Sequence, residues 1–224
     1  LQHTTELLVV TLAHIHPGND RDALARIRAI VETLQSAPGL LSTRIYRGHH
    51  NGTTYLLLTT WEDEESWLKA QERHTPKQLL LSMKDMLVSP PEQWLMYYLW
   101  GYNRPTVSPV LACAHLISVT PQQMDMLQNI WLNNLRQPAL QDWLTYAFLA
   151  RGTNDTPTAT RIATAPHSSG YREVFQLQST LLFSFFSWSN ESEREAFYAD
   201  TTYQAMQQLA EQHGIVRTQP LEAI

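Results

Sequence analysis

Cysteine is nearly absent from this 224-residue chain: Cys113 stands alone, in the apolar run Val110-Leu111-Ala112-Cys113-Ala114. No intramolecular disulfide can form, and a buried, inert thiol in a reducing compartment is the expected reading. Positive charge is scarce as well. Lys and Arg number 16 against 21 Asp and Glu, a net charge of −5, and no basic cluster breaks the pattern. Such a surface repels a phosphate backbone, so nucleic acid is not an expected partner. No apolar run approaches the roughly 20 residues that span a bilayer, so no membrane partner is expected either. There is no Gly-rich phosphate loop, no Gly-x-Ser-x-Gly elbow and no His-Glu-x-x-His, which removes nucleotide binding and the familiar hydrolase chemistries. No basic stretch followed by an apolar one opens the sequence. A secretory leader is therefore not expected, and the cytoplasm is the default location.

What is present is material for a core. Hydrophobic residues make up 43% of the chain and charged residues 17%, and the length suits two domains of about 100 residues. Residues 6–15 read as a strand buried on both faces. Pro17-Gly18-Asn19-Asp20 is a turn whose Asn19 or Asp20 can cap a helix. Over 21–35, Leu24, Ile27, Ile30, Val31 and Leu34 recur at helical spacing. Leu40 to Arg47 and Thr53 to Trp61 are strands joined by a turn with an Asn-Gly hairpin signal. Glu62-Asp63-Glu64-Glu65 places acid at a helix start, its favoured end. A further helix over Pro76–Leu87 and a strand over Trp94–Trp100 complete the order β-α-β-β-α-β, the ferredoxin-like split arrangement.

Tyr102 to Pro109 has the composition of a linker, and the pattern then restarts. Ala13-His14-Ile15 matches Ala114-His115-Leu116 at an offset of 101, and Leu24 and Ile27 match Leu127 and Ile130 at 103. Arg47-Gly48 matches Arg151-Gly152 at 104, and Trp61 matches Trp188 at 127. The jump predicts an insertion near 153–170, with a short strand at Thr160–Thr164. The expected organisation is a first unit over 1–103, a linker over 104–109 and a second unit over 110–224.

A strand ending in Trp, then an acidic helix start, then aromatics, occurs at Thr60-Trp61-Glu62-Asp63-Glu64-Glu65-Ser66-Trp67 and again from Ser187 to Tyr198. With Ala37-Pro38-Gly39-Leu40 at the entry to the second strand, this resembles the antibiotic-biosynthesis-monooxygenase family. The resemblance implies an α+β fold in which two tandem ferredoxin-like units form an intramolecular α/β barrel, as a monomer or a homodimer. It also implies a pocket between each sheet and its helices. Some members oxidise polycyclic phenols with oxygen and no cofactor; others bind and degrade heme. The quinone-forming members carry an Asn four residues before the strand-end Trp and a Tyr six after it. Leu57 and Trp67 stand there in the first half, Ser184 and Arg194 in the second. The heme-degrading pattern meets Val10, Ala70 and Leu80.

His14 and His115 are the candidate catalytic residues, since a His near a strand end can act as a general base. A core histidine with a satisfied hydrogen bond is the plainer reading of each. Trp61, Trp67, His74 and Trp188 are the candidate substrate-binding residues: each Trp can wall a pocket against a flat ligand, and His74 lies two helical turns beyond Trp67. The same rings also serve as simple packing. His49-His50 has no third ligand nearby, so no metal is expected. The leading expectation is a cofactor-independent oxygenase acting on an aromatic or polyketide-like small molecule. A non-catalytic small-molecule binder on the same scaffold is the second reading. A heme protein using His115 or His213 is the third.

Overall fold

The computed structural model describes residues 6–50, 52–73, 81–152 and 180–224. They form two compact units that divide between Tyr97 and Tyr98. The expected insertion, its short strand and His74 lie outside the described residues.

The first unit opens with β1 (Leu7–Ile15), α1 (Asp20–Gln35), β2 (Leu40–Gly48), β3 (Thr53–Trp61) and α2 (Glu64–Glu72), and ends in β4 (Glu92–Asn103), which runs on into the second unit. β1 pairs antiparallel with both β3 and β4, and β3 pairs with β2, so the order is β4-β1-β3-β2. Alternation sends Leu7, Val9, Ala13 and Ile15 to one face of β1. There they pack on Ala23, Ile27, Ile30 and Leu34, a 3-4-spaced stripe on α1. Residues of the opposite face, Leu8, Val10 and Leu12, are buried too, as the unbroken apolar run predicts. Asn19 precedes α1 without a side-chain capping bond, while Asp20 accepts a 2.8 Å hydrogen bond from the Thr53 hydroxyl. α1 gives way to β2 at Gly39, whose φ of +84° no ordinary side chain adopts readily and whose added Cβ would lie 2.4 Å from Ser66. The helix expected over Pro76–Leu87 is only partly within the described residues; there its end is a 3₁₀ turn, Lys84–Met86, beside buried Met83 and Leu87.

The second unit repeats the plan: β5 (Leu111–Val119), α3 (Pro121–Leu135), a single turn α4 (Pro138–Gln141), β6 (Tyr146–Gly152), β7 (Thr180–Trp188), α5 (Glu191–Ala199), α6 (Thr201–His213) and β8 (Gly214–Ala223). Its order, β8-β5-β7-β6, matches the first unit's strand for strand. Each unit is thus an α+β ferredoxin-like module. Among the described residues no helix is long and apolar enough to cross a membrane.

The strand registers fix which residues correspond. Leu7 pairs with Trp61, and Leu111 with Trp188. β1 therefore maps onto β5 at an offset of 104, and β3 onto β7 at 127. This overturns the equivalence of His14 and His115. His14 corresponds to Ser118, and His115 to Thr11. The sequence match at 101 slips by three residues, an odd number, and so places the two histidines on opposite faces.

Candidate functional site

The first unit keeps an opening between its sheet and its helices. β1 contributes Val9 and Thr11, β3 contributes Leu57, Thr59 and Trp61, and β4 contributes Gln93. Period-two alternation turns these side chains toward the helices, which supply Ile30 and Leu34 from α1 and Trp67 and Gln71 from α2. α2 is set at this height by its cap, where the Asp63 carboxylate accepts a 2.7 Å hydrogen bond from the Ser66 amide. The pocket is a small cavity of about 50 Å³ that opens partly to solvent.

Its polar groups are few and neutral. The Trp61 indole Nε1–H donates to Thr59 Oγ1 at 2.9 Å, which fixes the ring plane. Gln93 lies opposite Thr11 in the β1–β4 register, and its Nε2 donates to Thr11 Oγ1 at 2.9 Å. Thr11 and Gln93 are each 8% exposed. Gln93 Oε1 is buried and has no hydrogen-bond partner among the described residues. Among the described residues, no lining residue is a carboxylate, histidine or cation. Leu57 and Trp67, the two positions where the family resemblance implies Asn and Tyr, both face this space.

Of the residues singled out from sequence, the structure brings Trp61 and Trp67 together here. His14 shares the face of Leu8, Val10 and Leu12, away from the pocket, and its Nδ1 lies 3.0 Å from Thr54 Oγ1. His115 and Trp188 belong to the second unit, where both are fully buried. Gln93, Thr11 and Gln71 were missed. The strand signal starts at Trp94, two residues after the strand itself begins at Glu92. Extending its alternation back by two puts Gln93 in line with Leu95 and Tyr97, which pack on the helix-side core.

In the second unit the corresponding space is filled. Thr11 is replaced by His115, Thr59 by Phe186 and Ala70 by Phe197; Trp131 takes the place of Ile30 in the buried stripe of α3. All four of these larger side chains are essentially unexposed. The His115 Nε2 lies 2.9 Å from the Tyr203 hydroxyl, and Trp131 Nε1 donates to Ser184 Oγ at 3.0 Å. Phe186, Phe197 and Tyr203 surround the imidazole and one another at ring separations of 4.7 to 6.2 Å. Burial lowers the His115 pKa to about 4, with backbone groups of Ser184 and Cys113 offsetting part of the effect. Burial also pushes the Cys113 thiol up to about 11, which makes it a poor nucleophile. Among the described residues no group of three His, Cys, Asp or Glu side chains could hold a metal ion.

A sheet ordered β4-β1-β3-β2 with its helices on one face defines a ferredoxin-like α+β module. Residues 7–76 match the model of the antibiotic biosynthesis monooxygenase family, and they include most of the pocket. The match lies within the first unit, and the chain as a whole consists of two ferredoxin-like units. Among solved structures it is similar to a "putative monooxygenase" of Fusobacterium nucleatum, with TM-score 0.70 and 10% identity over 99% of this chain and 94% of that one. An anthrone oxidase-like protein matches with TM-score 0.69 and 11% identity over 99% and 92%. A second "putative monooxygenase", of Lactobacillus acidophilus, matches with TM-score 0.64 and 6% identity over 98% and 94%. At these identities the likeness is one of fold. A search of curated protein sequences returned no significant match.

Proposed function

We propose that the first unit binds a flat, largely apolar aromatic small molecule, and that the second unit is its structural support. The observation that carries this reading is the contrast in filling: the first unit holds an opening walled by Trp61 and Trp67, where its partner unit holds a solid aromatic core. An indole face offers area and stacking to a planar ligand at little conformational cost. The neutral lining favours a ligand whose charge is low. The family match over residues 7–76 and a structural neighbour described as anthrone oxidase-like support polycyclic phenols as the first ligands to try.

Binding rather than turnover is the activity this lining favours. Oxygenation without a cofactor requires a base to form the phenolate or carbanion that meets oxygen. His14, expected as that base, faces away from the pocket, and His115 stands in the other unit with its Nε2 engaged by Tyr203.

The test is calorimetric titration of the purified protein with two- and three-ring phenols, alongside oxygen-electrode traces. Saturable binding by the wild type, loss of that binding in Ile30→Trp, and no oxygen uptake are expected. Ile30→Trp places in the first unit the ring that fills the second. Undiminished binding in that variant would move the site elsewhere, and steady oxygen consumption would replace the binder reading with the oxygenase.

A further inference from the structure

We infer that Gln93, held by Thr11, is the specificity-determining residue of this pocket and selects aromatic ligands that carry a hydroxyl group. The inference rests on the pocket reading above and deepens it by naming the group the ligand must present.

Three observations converge on Gln93. First, its side chain lines the pocket, and the residue is more than nine-tenths buried. Second, its amide is held on one side only: Nε2 donates to Thr11 Oγ1, its cross-strand neighbour, at 2.9 Å. Third, the other end of the amide, Oε1, is buried without a partner among the described residues. A buried carbonyl oxygen that accepts nothing forfeits the hydrogen bonds it had in water. In a site otherwise built from Leu57, Ile30 and two indoles, such an oxygen is a poor packing choice. It is a good recognition group. A ligand O–H laid against it regains the lost bond, and a ligand that lacks the O–H leaves the amide unpaired. Sites of this kind reject the analogue without the polar group far more strongly than they reject a change in apolar bulk. The second unit carries Thr218 at the matching place across from His115, so the acceptor is peculiar to the unit that keeps the opening.

The experiment compares three probes on the full chain by calorimetry: 2-naphthol, which donates and accepts; 2-methoxynaphthalene, which only accepts; and naphthalene, which does neither. Wild type is expected to bind 2-naphthol about tenfold or more tightly than either of the others. In Gln93→Met, which keeps the side-chain length without the amide, the three affinities are expected to converge within about twofold while naphthalene binding persists. Thr11→Val, which removes the hydroxyl that holds the amide, is expected to weaken the preference in the same direction. Equal binding of all three probes by the wild type overturns the inference. So does a preference for 2-methoxynaphthalene, which would turn the amide N–H to the ligand, or a 2-naphthol preference that survives in Gln93→Met. If the wild type binds none of the probes, naphthalene included, the pocket reading itself falls, a result distinct from each of those.

Discussion

The two units share strand order, register and helix placement, yet the first keeps a small opening where the second carries larger, buried side chains. The difference resides in a handful of positions. Thr11, Ile30, Thr59 and Ala70 in the first unit correspond to His115, Trp131, Phe186 and Phe197 in the second. Every one of these exchanges adds volume, and a close-packed interior does not leave such volume unspent. The polar groups differ in the same sense. In the second unit the buried His115 and Ser184 find Tyr203 and Trp131. In the first, Gln93 Oε1 is left without a partner among the described residues, as His115 Nδ1 is in the second, but only Gln93 lines an opening. Backbone plan and interior filling are therefore separable here: the plan follows from strand alternation and helix spacing, the filling from side-chain size at four sites.

The comparison breaks most visibly if the filling residue is removed. Trp131→Ile, the residue that the first unit carries, is expected to cost about 3 kcal/mol, because it leaves a cavity among rigid rings and strips Ser184 of its donor. The converse change, Ile30→Trp, enters space that already exists and is expected to cost less than about 1 kcal/mol. Urea unfolding of both variants, followed by tryptophan fluorescence and circular dichroism, measures the asymmetry. Equal costs would mean that the two interiors are equally packed.

A second difference appears with acid. His115 is neutral in the folded protein down to about pH 4, whereas in the unfolded chain an imidazole takes up a proton near 6.5. Between those values the unfolded chain binds more protons, so stability falls as pH drops from about 6.5 toward 4. The full effect is of the order of 3 kcal/mol and ends below pH 4, where both states are protonated. The first unit has Thr11 at this place and lacks the effect. His115→Gln is expected to flatten the dependence of the urea midpoint on pH across this window. A slope unchanged by the substitution would assign the acid sensitivity to other groups.

Much of the fold was legible because its signals are local and periodic. The run Leu7–Ile15, the stripe Ile27-Ile30-Leu34 and the Trp61 and Trp188 strand ends each announce an element without reference to the rest of the chain. The match of Arg47 with Arg151 and of Trp61 with Trp188 agrees with the strand registers. The histidine equivalence failed because a three-letter match, Ala-His-aliphatic, carries no register information; only pairing with the neighbouring strand does. Trp61 and Trp67 were legible as pocket walls because both flank the start of one helix. Thr11 and Gln93 were not, being 82 residues apart and joined only by the β1–β4 pairing. Nor could the sequence tell which unit keeps the opening. That depends on how Ile30 and Trp131 each pack against the sheet of their own unit.

The smallest expected contrast concerns the helix caps at matching positions, Asp63 and Asn190. The Asp63 carboxylate accepts from the Ser66 amide at 2.7 Å, and the Asn190 side-chain oxygen accepts from the Glu193 amide at 2.9 Å. Both satisfy a donor that the first helical turn leaves free. Asn190→Ala is expected to cost about 1 kcal/mol at any pH. Asp63 differs in that it titrates. Its hydrogen bond with the Ser66 amide holds its pKa below the usual carboxylate value. Its stabilisation is therefore complete above the pKa of the unfolded chain and is lost as pH falls through the lowered folded value. Exchanging the two residues transfers that behaviour: Asp63→Asn makes the first cap indifferent to acid, and Asn190→Asp makes the second respond to it. Urea midpoints of these variants at pH 7 and pH 3 read the exchange directly. An Asp63→Asn variant as sensitive to acid as the wild type would show that the cap at α2 adds nothing to the pH dependence.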